Sequence, residues 1–237
     1  MTVQFNLSGA QLIKGLRTAR IMSDTQAPGQ VFSSVWIAAK VNPEDVERGA
    51  VAFSATDRYI YGTVIRTEAV AGASGSAGMA LPVTLVGTLL KMLAAKHTYE
   101  VTLSPPIADG EAPEFGIKDM TEPLTLTYLL NDTRKYPKLG YLLDDRALVP
   151  HEAGPIGFTV TILDKLNKAV AAVGSKAFTM DPPMNSRVRF VAADSGYSAG
   201  WSLVGAFMPP RLGEDTLDAL KKLDSLVQRE LMPGEYA

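Results

Sequence analysis

Three cations recur at every third position of one amphipathic segment, residues 9–22. They are Lys14, Arg17 and Arg20. On a helix they would span about a third of the circumference, and Leu12, Leu16 and Ala19 would point the opposite way. A helix that presents cations without base-reading side chains is suited to weak, salt-sensitive contact with phosphates. The chemistry that these residues indicate is therefore anion binding without sequence specificity.

Two further segments repeat this layout. Lys165 and Lys168 share one side of segment 160–176 with small residues, Leu163 and three other apolar residues fall opposite, and Lys91 lies on the polar side of segment 82–97. Lys96 and Lys176, near the ends of these segments, are weaker candidates. Solvated helix faces often carry such residues without a ligand, but three similar faces favour a shared role.

The three segments form a basic minority within an acidic chain. They hold eight basic residues and one acidic residue, whereas the rest of the chain holds fifteen basic and twenty-four acidic residues. The net charge is −2, which argues against a protein that coats nucleic acid over its whole surface. Any contact with nucleic acid is therefore expected to be local.

Residues able to support catalysis or metal binding are few. His97 and His151 are far apart in sequence with no acid at metal-ligand spacing, so we expect both to be surface histidines. The neighbours Asp57 and Arg58 are expected in a turn between strands. The chain has no cysteine, which excludes disulfides, thiolate zinc sites and a cysteine nucleophile. We predict no enzyme activity, no metal and no cofactor.

The bulk composition is that of a globular protein. The chain is 46% hydrophobic and 20% charged. Its length of 237 residues is sufficient for one large domain or two small ones. No apolar run approaches the roughly 18 residues of a membrane span, and the first residues do not resemble a signal peptide. We expect a soluble cytoplasmic protein.

The order of strand, helix and three strands occurs three times along the chain. Ser8 is a predicted N-cap of the first helix, Pro82 opens the second, and Gly174 is a predicted C-cap of the third. A short strand, such as residues 157–160 in the third unit, precedes each helix. The Gly/Ser/Ala-rich stretch 71–78 is predicted to be a linker. Residues 131–145 are predicted to be a loop, and residues 214–231 a further amphipathic helix.

Several short motifs, taken in order, resemble the bacterial DNA polymerase III β sliding clamp family. The likeness is carried by VQFNLSGAQLIKGLRTA (3–19), AVAFSATDRYIYGTVIRTEA (50–69), MALPVTLVGTLLKML (79–93), LTLTYLLNDTRKYPKL (124–139) and WSLVGAFMPPRL (201–212). These look like the family's opening strand and helix, its strands around a short ATD turn, its second helix, the end of its first domain, and its terminal strand. Each motif is short, so the resemblance depends on their order.

The resemblance implies an α+β DNA-clamp fold, built from repeated half-units of one helix on a mostly antiparallel sheet. Residues 1–146 would form a domain of two half-units, about 1–70 and 76–143. Residues 150–213 would form a third half-unit, followed by a C-terminal helix and tail over 214–237.

The resemblance also implies which residues face a partner. The helices of clamps line a central hole, which makes the helix cations the expected DNA-facing residues: Lys14, Arg17, Arg20, Lys91, Lys165 and Lys168. Clamps bind polymerase and loader peptides in an apolar pocket, which carries over to Met208, Pro209, Pro210, Arg211 and Leu212. A simple chain turn at these five residues is an equally good interpretation.

Two functional hypotheses follow from the resemblance. The first is a clamp-like processivity factor that encircles or cradles duplex DNA and tethers replication proteins. The second is a clamp-fold adaptor, or a decoy of host replication factors, that forms no ring. Bacterial clamps have six half-units per chain and this sequence has about three, which indicates a shortened, bacteriophage-encoded protein. An unpaired third half-unit would expose a sheet edge, so we predict a homo-oligomer, with a C-terminal helix covering the edge as the alternative.

Overall fold

The computed structural model describes residues 2–25, 31–42, 45–66, 75–106, 112–130, 158–181, 187–193 and 201–208. Within these ranges the α-helices are α1 (Gly9–Met22), α2 (Val83–Met92) and α3 (Val160–Val173). Among the described residues, no helix has the length and apolar character needed to cross a membrane.

Strands make up most of the remaining described chain. They are β1 (Val3–Ser8), β2 (Ser34–Asn42), β3 (Asp45–Thr56), β4 (Ile60–Arg66), β5 (Ser76–Pro82), β6 (Thr98–Ser104), β7 (Glu114–Asp119), β8 (Thr125–Leu129), β9 (Thr179–Met180), β10 (Val188–Ala193) and β11 (Trp201–Phe207).

The strands form two antiparallel sheets. One has the order β1-β6-β7-β8, and the other has the order β5-β2-β3-β4-β11-β10-β9. In the larger sheet, β11 of the third predicted unit pairs with β4 of the first, with Gly205 opposite Gly62. The expectation that the third unit stands unpaired is therefore wrong at this edge, because its last strand continues the sheet of the first unit.

Helix α1 begins and ends where the sequence predicted. The Ser8 side chain accepts a hydrogen bond from the Gln11 N–H at 3.3 Å, and the Gln11 side chain accepts one from the Ser8 N–H at 2.8 Å. This reciprocal capping box satisfies two of the N–H groups that a helix start leaves without partners.

The start of α3 also has a side-chain cap, and its end has a glycine. The Thr159 hydroxyl accepts a hydrogen bond from the Ile162 N–H at 3.2 Å. Gly174 follows the helix with φ 92°, a left-handed conformation that glycine adopts at little cost. The C-cap prediction at Gly174 is confirmed. Phe158 and Thr159 precede the helix without forming the short strand that the sequence predicted there.

The predicted linker 71–78 is partly wrong, since Ser76 already belongs to β5. Gly78 in this strand lies against the Trp36 ring, where an added Cβ would come within 2.5 Å of the indole. Gly78 is therefore needed for packing against Trp36. In the sequence, a glycine in this stretch indicated a linker. Residues 71–74, the predicted loop 131–145 and the predicted helix 214–231 lie outside the described residues.

A single apolar core joins the two sheets and the helices. It is centred on fully buried side chains such as Phe5, Phe53 and Phe115. At Gly205 in β11, an added Cβ would lie 2.3 Å from the Tyr61 carbonyl oxygen and 2.2 Å from the Phe190 ring. Any side chain there would force β11 away from β4, so close pairing of these strands requires glycine.

His97 is buried, with 7% of its surface exposed, so the expectation of a surface histidine is wrong. Its Nδ1 lies 2.7 Å from Asp119 Oδ2, and its Nε2 lies 3.7 Å from Glu122 Oε1. Asp119 Oδ1 also accepts hydrogen bonds from the Thr121 and Glu122 N–H groups. The His97 carbonyl in turn accepts the Gly9 N–H at 2.7 Å, so this cluster supports the start of α1.

The Asp119 carboxylate makes this cluster sensitive to acid. Burial alone would raise its pKa, but the hydrogen bonds from Thr121, His97 and Glu122 outweigh burial and hold the pKa below its ordinary value of 3.8. A lowered folded-state pKa stabilises the fold above the unfolded-state pKa, and this stabilisation is lost as the pH falls through the folded value.

We therefore expect Asp119→Asn to remove one component of acid sensitivity. The wild-type chain should be more stable than the variant at neutral pH, and the difference should shrink below about pH 4 as Asp119 becomes protonated. Urea unfolding followed by tryptophan fluorescence across pH 2 to 7 measures this difference. A difference that stays constant down to pH 2 would contradict the assignment.

Candidate nucleic-acid interface

Helices α1 and α3 pack side by side in opposite directions. Lys14 Nζ, in the middle of α1, donates a hydrogen bond to the carbonyl of Val173 at the end of α3, at 3.2 Å. At the other end of the pair, Lys165 Nζ on α3 donates to the carbonyl of Ser23, just after α1, also at 3.2 Å. The β4–β11 pairing below the helices sets this arrangement.

The two helices and α2 surround an open depression of about 460 Å³, called here the basic depression. Its walls carry four of the predicted cations and one acid. The lining residues are Arg17, Arg20, Ile21, Ser23, Thr25, Leu90, Asp164, Lys165 and Lys168. Helices α1 and α3, far apart in sequence, thus place a net positive charge around one concave surface, and α2 adds only the apolar Leu90 to its wall.

The cations differ in how freely they meet solvent. Arg17, Arg20 and Lys91 are exposed. Lys168 is exposed and forms an ion pair with Asp164, one helical turn before it, at 2.6 Å. Lys14 is half-buried and bonded to the end of α3.

The remaining candidates lie outside the basic depression. Lys91, on α2, does not line it, and neither does Lys14. The weaker candidates, Lys96 and Lys176, are exposed just after α2 and α3. On α3, the prediction that Leu163 is on the buried side is wrong, since it is 37% exposed, while Ile162 and Ala169 are buried.

Lys165 has a different environment from the other cations. Only 22% of its side chain is exposed, and its Nζ lies 2.6 Å from Asp57 Oδ2. The other oxygen of Asp57 accepts hydrogen bonds from the N–H groups of Tyr59 and Ile60, at 3.0 and 2.9 Å. Asp57, Arg58 and Tyr59, called here the Asp57 turn, connect β3 to β4 as the sequence predicted.

An apolar pocket lies on the other side of the Asp57 turn. It has a volume of about 180 Å³. Its walls are mostly aromatic and aliphatic, with two arginines among them: Phe32, Thr56, Arg58, Tyr59, Ile60, Tyr61, Arg187, Ala206, Phe207 and Met208. Met208, the first of the five predicted pocket residues, lies in this wall and donates its N–H to the Tyr59 carbonyl at 2.9 Å.

The other four predicted pocket residues, Pro209 to Leu212, lie outside the described residues. Sequence reasoning missed the rest of the lining, chiefly Phe32, Tyr59 and Arg187. Tyr59 is 64% exposed, and an aromatic residue in a short turn between two strands is a signal that could have pointed to it.

Solved structures share the architecture of this chain, whereas two other comparisons find no match. No protein-family model matches the chain, and no curated protein sequence does either. Its structure is similar to a protein of Eubacterium rectale described as a DNA polymerase III beta subunit, with 10% identity, a TM-score of 0.58, and coverage of 99% of this chain and 76% of that one. It is also similar to the DNA polymerase III subunit beta DnaN sliding clamp of Bartonella birtlesii, with 14% identity, a TM-score of 0.53, and coverage of 96% and 74%.

The α+β architecture is therefore a DNA-clamp fold. More narrowly, it is the fold of the DNA polymerase III β sliding clamps, as the order of the sequence motifs predicted. At 10% and 14% identity, the likeness is one of fold.

The Lys165–Asp57 ion pair should contribute more to stability than the exposed Lys168–Asp164 pair. We expect Lys165→Leu to lower the free energy of unfolding by about 2 kcal/mol, between the values for exposed and fully buried pairs. Lys168→Leu should cost less than about 0.5 kcal/mol. Urea denaturation of both variants measures the two values. Equal losses would show that the pair with Asp57 is only a surface contact.

Proposed function

We propose that the protein is a sliding-clamp-like processivity factor that cradles or encircles duplex DNA and tethers replication proteins. The observation that carries this proposal is the basic depression, where Arg17 and Arg20 of α1 meet Lys165 and Lys168 of α3. These side chains surround a wide, open surface without a base-reading arrangement of amides. Contact with phosphates alone guides a duplex without fixing its position.

The apolar pocket supports the tethering part of this function. Its walls offer apolar side chains to a peptide anchor, and Arg58 and Arg187 suit an acidic residue or carboxylate beside that anchor. Peptide segments of a polymerase or clamp loader are the partners that we propose for it. Met208 would contribute one wall, and Pro209, Pro210, Arg211 and Leu212 would extend it.

The proposed clamp function also has consequences for domain organisation, oligomeric state and location in the cell. We propose two half-units within residues 1–146 and a third within 150–213, with homo-oligomers completing a larger arc or ring. The protein would act in the cytoplasm of a bacterial host, as a bacteriophage product. It would act without catalysis, metal or cofactor, since binding and positioning are all that a processivity factor requires.

One observation favours a second function, that of a clamp-fold adaptor or decoy which does not hold DNA. Among the described residues, contacts within the chain engage three of the six DNA-facing candidates: Lys14 with Val173, Lys165 with Asp57, and Lys168 with Asp164. Internal engagement lowers the charge that each lysine offers to phosphates. In this case the apolar pocket would be the main functional site.

The number of cations that contact phosphate can be counted from salt dependence. We expect Arg17→Gln combined with Arg20→Gln to weaken binding to a short duplex, and to reduce the slope of log affinity against log salt by about 2. Fluorescence anisotropy across salt concentrations measures both quantities. The matched control is Lys40→Gln with Lys118→Gln, which removes two exposed charges from the strands and should leave the slope nearly unchanged.

The same titrations separate the two functions. Salt-insensitive binding, or equal losses in both double variants, would contradict the proposed DNA surface. No duplex binding by the wild-type chain, together with binding of an apolar peptide at the pocket, would favour the adaptor.

A further inference from the structure

The Asp57 turn belongs to both proposed sites. Asp57 holds Lys165, which lines the basic depression, while Arg58 and Tyr59 line the apolar pocket. We infer that the Lys165–Asp57 ion pair is a positioning contact for the apolar pocket and couples it to anion binding in the depression. This inference rests on the proposed function and adds regulation to it.

Each residue of the turn has a separate restraint. Asp57 uses one carboxylate oxygen for Lys165 at 2.6 Å and the other for the N–H groups that follow it. The Arg58 guanidinium lies 3.3 Å from Asp24 Oδ2 and 5.5 Å from the centre of the Phe32 ring. The Tyr59 carbonyl accepts the Met208 N–H. Movement of the turn would therefore move both walls of the pocket.

The backbone of the turn makes these restraints necessary. Arg58 has φ 85°, the one positive value at a non-glycine residue among the described residues. A side chain with a Cβ atom in this conformation is strained, and it remains there only when surrounding contacts hold it. Removing the contact between Asp57 and Lys165 should let the turn relax, and the Arg58 and Tyr59 side chains would move with it.

A phosphate in the basic depression competes with Asp57 for the same ammonium group. Lys165 lines the depression and is part-exposed, so a bound duplex would draw Nζ toward its phosphates and repel the Asp57 carboxylate. The turn would lose a restraint as a result. Thermodynamic linkage then requires that a ligand favouring the ordered pocket weakens duplex binding by the same factor. Duplex and pocket ligands are therefore expected to oppose each other.

The reporter for the pocket is the Met208 methyl group, observed by NMR in methyl-labelled full-length protein and assigned with Met208→Leu. Met120, which follows β7 in the other sheet, is an internal control because it is exposed and lies outside both sites. The test compares Lys165→Leu with Lys168→Leu, which removes an equal charge from the same depression without touching Asp57. Lys165→Arg keeps a cation for Asp57 and is the rescue variant.

Without DNA, Lys165→Leu should shift the Met208 signal and leave Met120 unchanged, whereas Lys168→Leu and Lys165→Arg should leave both near their wild-type positions. A short duplex should then shift Met208 in the wild-type, Lys165→Arg and Lys168→Leu proteins, with a much smaller change in Lys165→Leu. This pattern would support the positioning contact and its coupling to anions.

Two results would overturn the inference. An unchanged Met208 signal in Lys165→Leu would refute the positioning contact whether or not DNA binds. Duplex-induced changes in the amides of Arg17 and Arg20 that never reach Met208 would refute the coupling, and would leave the proposed function intact. If the duplex changes no signal at all, the proposed DNA binding fails, and the positioning contact is then decided by the Lys165→Leu spectrum alone.

Discussion

The arrangement of both sites depends on the antiparallel pairing of β4 with β11. This pairing extends over seven residue pairs, from Ile60 opposite Phe207 to Arg66 opposite Trp201. It joins segments that lie far apart in sequence into one seven-stranded sheet. Since a strand's hydrogen bonds fix its register, helix α3 has little freedom in where it meets α1. Gly205 allows the close approach to the Tyr61 carbonyl of β4, and Gly62 opposite it leaves room for the Met22 side chain of α1.

The β4–β11 junction has two consequences for the candidate sites. Above the sheet, antiparallel packing of α1 and α3 turns two separate rows of cations into one concave basic surface. At the end of the junction, the Asp57 turn meets Met208, the residue after β11, and an apolar pocket lies between them. The basic depression and the apolar pocket are built on one junction, and Lys165 of α3 links them because it lines the depression and forms an ion pair with Asp57 of the turn. A lysine predicted to contact DNA is therefore also a structural residue.

The sequence predicted those features of the fold that depend only on residues close together in the chain. The cap at Ser8, the glycine after α3 and the turn containing Asp57 were identified because a few neighbouring residues decide them. The segment near Gly78 was misassigned, because the glycine at this position is required by the Trp36 ring on another strand. His97 was misplaced for the same reason, since its partner Asp119 is 22 positions away. Periodicity predicted that Leu163 lies on the buried side of α3, but its neighbour Ile162 is buried instead. The buried side is wider than one stripe because both α1 and β11 pack against that helix.

The proposed function requires that α1 and α3 together form a single surface for duplex DNA. Site-specific photo-crosslinking tests it directly, with a benzophenone amino acid replacing Arg17 on α1, Lys168 on α3 or, as a control, Lys118 on β7. We expect positions 17 and 168 both to crosslink to the same short duplex, added salt to suppress both crosslinks, and position 118 not to crosslink. Crosslinking from only one helix, or equally from position 118, would contradict a shared DNA surface.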